Sequence, residues 1–183
     1  DVNVYGKLLP AAGSVYLPTT GGLMLARYVP ASPEDTEVWL PTSVNGQPVV
    51  AIDPAAFADA AQVTSLHLPD NLKQIDPAVF EALPNLTRIT TGPDNVRYKA
   101  VNGMLYTADM GTLVSLPRRK PMVTLVLPAT VHTIGEGACA GHAWLQNAAL
   151  PQSVTKLEAN AFAGCTQLAA FSAYGLKTIG CNA

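Results

Sequence analysis

Residues 51–66, AIDPAAFADAAQVTSL, and residues 74–89, QIDPAVFEALPNLTRI, are nearly the same string. Ile52 to Ile75, Ala56 to Val79 and Phe57 to Phe80 are each steps of 23 residues. Further along, Pro128 to Pro151, Ile134 to Leu157 and Cys139 to Phe162 are also steps of 23, and Leu157 to Ile179 is a step of 22. This period constrains the fold more than any other feature. A unit of that length cannot bury its own apolar stripe, so neighbouring units must stack and share a core.

Each unit reads as a strand, a proline corner, a second apolar pair and a short helical turn. The strand triplets are VWL (38–40), LHL (66–68), ITT (89–91), LVL (125–127), AAL (148–150) and FSA (171–173). Alternation along a strand puts the outer two residues of each triplet on one face and the middle one on the other. Pro41, Pro69, Pro128 and Pro151 then end the strands, because proline cannot donate to a ladder. Asp53 and Asp76 stand where helix N-caps belong, each followed by a proline at the first helical position, where a missing N–H costs nothing. Same-direction strands one repeat apart must pair in parallel. The inward columns are then Val38, Leu66, Ile89, Leu125, Ala148 and Phe171, with Ile52, Ile75, Ile134, Leu157 and Ile179 beside them. The expected fold is a solenoid of short parallel strands and short helical turns.

The expected organisation is a single repeat domain over 1–183: an irregular N-terminal cap (1–33), repeats (34–91), a β-hairpin insertion (92–122) and further repeats (123–183). In the insertion, GMLYT and GTLVSL flank ADM, with Gly111 as the residue able to take positive φ, and the hairpin is expected to protrude. The five residues NGQPV lengthen the first unit after Pro41. The chain ends at KTIGCNA, partway through a repeat and without a polar cap. Two expectations follow: a native chain that continues, or a weak homodimer covering this end. The start, with neither Met nor a charged-then-apolar signal segment, reads as trimmed or processed.

The repeat resembles that of the BspA-type, or Treponema pallidum-type, leucine-rich repeats, L-x-L-P-x-x-[LV]-x-x-I-x-x-x-A-F-x-x-C-x-x-L. LEANAFAGCTQLAAF (157–171) is close to that form, and LVLPATVHTIGEGACAG (125–141) and LHLPDNLKQIDPAVF (66–80) are nearly as good. Asn95, Tyr98, Asn102, Gly103, Leu105 and Tyr106 resemble an N-x-x-Y-x-x-x-[DN]-G-x-L-Y insertion found among these repeats. His142 stands where Cys165 does, and Cys139 replaces the phenylalanine of the A-F pair. The resemblance covers about Tyr28 to Gly180. It implies a secreted or surface-displayed bacterial protein engaged in adhesion or protein binding, with a host matrix or serum protein as partner, and it supplies no catalytic residue to carry over.

Composition excludes several other classes. Apolar residues make up 49% of the chain and charged ones 13%, against roughly 25% charged in an average domain, so a folded chain is expected. A net charge of −2 offers no footprint for nucleic acid. No stretch is apolar for long enough to span a bilayer. Cys139, Cys165 and Cys181 form no CxxC pair and are expected to be free, buried thiols. His67, His132 and His142 do not fall at metal-ligand spacing, and there is no G-x-S-x-G elbow or phosphate loop. Neither an enzyme nor a cofactor or metal is expected.

Two groups of residues are candidates for binding. Alternation places Trp39 and His67 on the outward face of adjacent strands, with Glu37 and Arg88 nearby, and a Trp ringed by polar groups is what a protein-binding hot spot is made of. The competing reading has the N-terminal segment or the hairpin folding over Trp39. The second group is Arg97, Lys99, Arg118, Arg119 and Lys120, five of the eleven cations, which could meet an acidic protein or glycan or be a solvated loop. Beside a protein-binding module stand two other readings: a passive spacer within a longer surface protein, and carbohydrate binding through Trp39 and the tyrosines.

Overall fold

The structure, a computed structural model, describes residues 13–183; the first part of the expected N-terminal cap, residues 1–12, lies outside the described residues. The chain divides into two compact units, one ending at Arg97 and the other beginning at Tyr98.

The first unit contains β1 (Val15–Thr19), β2 (Gly22–Arg27), β3 (Glu37–Trp39), β4 (Ser43–Val44), β5 (Gln47–Ile52), β6 (Ser65–Leu68), β7 (Gln74–Ile75), α1 (Ala78–Glu81) and β8 (Arg88–Thr91). β1 and β2 form an antiparallel hairpin. β2 then pairs in parallel with β5, and β5 with β7, so that Leu25, Ile52 and Ile75 lie in one register. A second sheet, β3–β6–β8, is all parallel and aligns Val38 with Leu66 and Ile89. All six of these residues are buried. Burying a large aliphatic side chain contributes about 1.5–3 kcal/mol before conformational entropy is charged against it.

The second unit contains β9 (Tyr98–Val101), β10 (Met104–Thr107), β11 (Thr112–Ser115), β12 (Thr124–Leu125), β13 (Thr133–Ile134), β14 (Asn147–Ala149), β15 (Lys156–Leu157), β16 (Ala170–Ser172) and β17 (Thr178–Ile179). The insertion forms the expected hairpin, β10–β11, with β9 added to its other edge. It does not protrude. β11 pairs in parallel with β13, so Leu113 aligns with Ile134, Leu157 and Ile179 and begins the column of the second unit. In both units antiparallel strands come first, and the last of them, β2 or β11, is the first rung of a parallel ladder. The other sheet, β12–β14–β16, aligns Leu125 with Ala148 and Phe171.

The turns depart from expectation in two ways. Asp53 and Asp76 do accept bonds from the N–H of Ala55 (2.8 Å) and Ala78 (2.9 Å), as caps would. Only one of the turns, however, continues into α-helix, for the four residues of α1. The others close with single bonds such as Ala60 N–H to Phe57 O (3.0 Å) and Ala163 N–H to Asn160 O (3.0 Å). In the β10–β11 turn it is Met110, not Gly111, that takes positive φ (59°). A Cβ at Gly111 would lie 2.5 Å from Nε2 of the exposed His132, which would have to shift. Two Asn-Gly turns, Asn45-Gly46 and Asn102-Gly103, take positive φ at both residues and close the β4–β5 and β9–β10 hairpins.

Backbone bonds at the strand entries register the repeats. The carbonyl of Thr64 accepts the N–H groups of Thr87 and Arg88 (2.8 and 3.2 Å), and that of His132 accepts Thr155 and Lys156 (2.9 and 3.2 Å). Thr87 Oγ1 reinforces the first with a 2.8 Å bond to Thr64 O, and Thr64 Oγ1 bonds Thr36 O at 3.3 Å.

Candidate functional site

In the β3–β6–β8 sheet the inward residues are buried, so the outward residues of each strand stand in fixed register. Trp39 aligns with His67 and His67 with Thr90; Glu37 aligns with Ser65 and Ser65 with Arg88. The indole and imidazole stack, with ring centroids 4.2 Å apart and planes 28° from parallel. His67 Nδ1 shares a 2.8 Å hydrogen bond with Thr90 Oγ1, which fixes the ring from its other side. Burial lowers the His67 pKa from its ordinary value of 6.5, partly opposed by Asp70, so the stacked ring favours its neutral form.

Beside the stack runs a polar row. Arg88 Nη2 donates to Glu37 Oε1 at 3.0 Å, and Arg88 Nε and Nη2 each lie 3.3 Å from Ser65 Oγ. The guanidinium thus spans the width of the sheet across the serine. An exposed pair of this kind adds only about 0.2–1 kcal/mol, and its effect is to hold Arg88 in one place. The fold therefore brings Glu37, Trp39, His67 and Arg88 onto one face as two linked pairs. Trp39 is half-buried.

The basic residues do not all share one element. Arg97 is exposed in the first unit; in the second, Lys99 is exposed on β9. Arg118, Arg119 and Lys120 share a turn closed by a 3.0 Å bond from Lys120 N–H to Pro117 O. Arg119 lies over the ring of Trp144, 5.8 Å from its centroid, a cation–π arrangement. Trp144 escaped the sequence reading, although a signal was present. The position before the aliphatic at Val63, Leu86, Leu145 and Leu168 holds Gln62, Asn85, Trp144 and Gln167, so an indole stands where the other repeats carry an amide.

His142, Cys139 and Cys165 serve the core. His142 is fully buried, and burial lowers its pKa from 6.5. Cys165 Sγ donates to Cys139 O at 2.9 Å, and burial raises both thiol pKa values, Cys139 well above the ordinary value. The expectation of three buried thiols holds only at Cys139: Cys165 is half-buried, and Cys181 is exposed on the last turn. Tyr28 and Tyr106 are buried, and burial pushes the Tyr106 hydroxyl up to about 12, so these two tyrosines offer no surface to a sugar. Among the described residues no group of His, Cys, Asp and Glu could hold a metal, and no helix is long and apolar enough to cross a membrane.

Parallel ladders at a spacing of about 23 residues, with apolar columns within and variable residues outside, define a leucine-rich-repeat solenoid. The chain belongs to the BspA-type leucine-rich-repeat family, whose repeat region matches residues 41–102 and 119–183 in six copies. A leucine-rich-repeat protein of T. pallidum is similar over 95% of this chain and 86% of its own, at 21% identity and a TM-score of 0.58. A leucine-rich cell surface protein of Faecalibacterium prausnitzii matches 75% of this chain at 22% identity (TM-score 0.57), and a leucine-rich-repeat protein of Eubacterium ventriosum matches 64% at 24% (TM-score 0.57). The chain spans only 38% and 32% of the length of those two. A comparison with curated proteins finds no match. At these identities the likeness shows the fold alone.

Proposed function

We propose that this chain is a non-catalytic protein-binding module of a secreted or surface-displayed bacterial protein, and that it binds through the outward face of β3–β6–β8. The observation that carries this reading is the Trp39–His67 stack, flanked by Arg88 held between Glu37 and Ser65. Repeat folds fix the inner columns and leave the outer face to vary, and a ladder with nothing to recognise needs no aromatic pair across adjacent strands. Trp and Arg, each restrained before a partner arrives, lose little conformational entropy on binding. The similar cell surface protein of Faecalibacterium prausnitzii is consistent with display at the surface.

The test is binding to a panel of immobilised host matrix and serum proteins, comparing wild type with a Trp39→Ala/His67→Ala double variant whose folding matches by circular dichroism. The expected result is a ligand bound by wild type and lost, by at least about tenfold in affinity, in the variant. A ligand bound equally by both moves the site off this face. A panel on which wild type binds nothing leaves the passive spacer as the better description.

A further inference from the structure

We propose that the turn Arg118–Arg119–Lys120, together with Trp144, is a second docking surface, for an acidic segment of a protein partner in which apolar side chains sit among the carboxylates. This surface belongs to the second unit and does not rest on the reading of the Trp39 face.

The turn is held from both sides. Lys120 N–H bonds Pro117 O, Ala143 N–H bonds Arg118 O at 3.3 Å, and just before the turn Leu116 N–H bonds Ala138 O at 2.6 Å. Arg119 is placed over the indole of Trp144. Arg118 runs along Gly141, where an added Cβ would come 3.3 Å from Nε and 3.4 Å from Cζ, so the glycine leaves the guanidinium its room. Beneath them His142 is fully buried, its ring against the backbone of Lys120. Among the described residues none of the three cations is in an ion pair, whereas Lys156 of the same unit pairs with Glu158 at 2.7 Å. Three adjacent positive charges, two of them planar forks already positioned, fit carboxylates, which guanidinium groups bind through two parallel bonds.

The apolar surroundings select the class of partner. Trp144 is 42% exposed and Val123 50% exposed. Val123 O accepts the N–H groups of Gln146 and Asn147, which places it beside the chain just after Trp144. A sulfated glycan supplies anions but no branched apolar group to cover a valine and an indole. An acidic peptide carrying leucine supplies both.

Two fluorescein-labelled peptides of equal length and charge, one of glutamate and leucine and the other of glutamate and serine, test this by fluorescence anisotropy on the full chain, with heparin as a third probe. The glutamate–leucine peptide is expected to bind several-fold more tightly than the other two. Arg119→Glu and Trp144→Ser should each weaken it by about tenfold, and Lys177→Glu, an exposed cation elsewhere in the unit, should leave it unchanged. Arg119→Lys keeps the charge and loses the planar guanidinium, and an intermediate affinity is expected. It serves as the test if the charge reversal fails to fold. The proposal is overturned by absence of binding, by equal binding of the serine peptide, by an equal loss in Lys177→Glu, or by heparin as the tightest probe, which would assign the turn to glycans.

Discussion

The β3–β6–β8 sheet and the β12–β14–β16 sheet are built on one plan and finished differently. Both pair in parallel, and both turn the first residue of the strand triplet inward. Outward, the first carries Trp39, His67 and Thr90 in one row and Glu37, Ser65 and Arg88 in the next, cross-linked by a ring stack and charged bonds. The equivalent rows of the second are Val126, Ala149 and Ser172, and Thr124, Asn147 and Ala170, with one 3.5 Å bond between Asn147 and Thr124. The repeat requires only the inner columns, so a concentration of aromatic and charged groups on one outer face is a property of that face and not of the fold.

The largest effect expected separates inner positions within the two ladders. Leu66, fully buried at the middle of its sheet, should cost about 2–5 kcal/mol when replaced by Ala. Phe171, on the edge strand β16, is 45% exposed and makes one edge-on ring contact, 5.4 Å between centroids, with Phe162. Phe171→Ala should therefore cost about 1 kcal/mol despite removing the larger side chain. Urea unfolding of the two variants measures both. Equal losses would mean that the face beyond β16, where Ile179 of the neighbouring ladder is also 66% exposed, is covered in solution.

A smaller effect distinguishes the outer faces. Trp39→Ala should lower stability by about 1 kcal/mol through loss of the stack on His67, while Val126→Ala, at a residue 71% exposed, should change nothing measurable. A double-mutant cycle of Glu37→Ala and Arg88→Ala should give a coupling of about 0.2–1 kcal/mol that shrinks as salt is added. A coupling of zero at low salt would reduce the polar row to bystanders and leave the aromatic pair alone as the feature that distinguishes this face.

Much of this was legible in the sequence because stacking units repeat their steric demands. The period, the inner columns, the carboxylate caps and the neighbours of Trp39 all follow from alternation and spacing. What escaped lies where the repeat is interrupted. The column from Ile75 to Ile134 skipped Leu113 because β11 enters the ladder from a hairpin, at a spacing no other repeat uses. Glycine at 111 suggests positive φ there, whereas the backbone of the turn takes it one residue earlier, at Met110. The partnership of Arg119 with Trp144 joins residues 25 apart, across two loops whose meeting no local pattern encodes. How the outer residues meet a partner was not legible at all, since period and alternation constrain only what the stack itself buries.

The smallest effect concerns pH and compares the outer-face His67 with the core His142. Burial holds both rings below the ordinary value of 6.5. Each therefore binds its proton more weakly in the folded chain than in the unfolded one. Stability from the neutral ring is complete above the ordinary value and is lost as pH falls through the window between that value and the lowered folded one. Melting temperature should decline from about pH 7.5 to about pH 5, and His142→Gln and His67→Gln should each flatten part of that decline. His67→Gln should in addition abolish the spectral signature of the Trp39 stack, read as a change in indole fluorescence. If His67→Gln left the pH dependence unchanged while His142→Gln removed it, the acid sensitivity would belong to the second unit's core, and ligand binding on the Trp39 face should then be independent of pH over the same range.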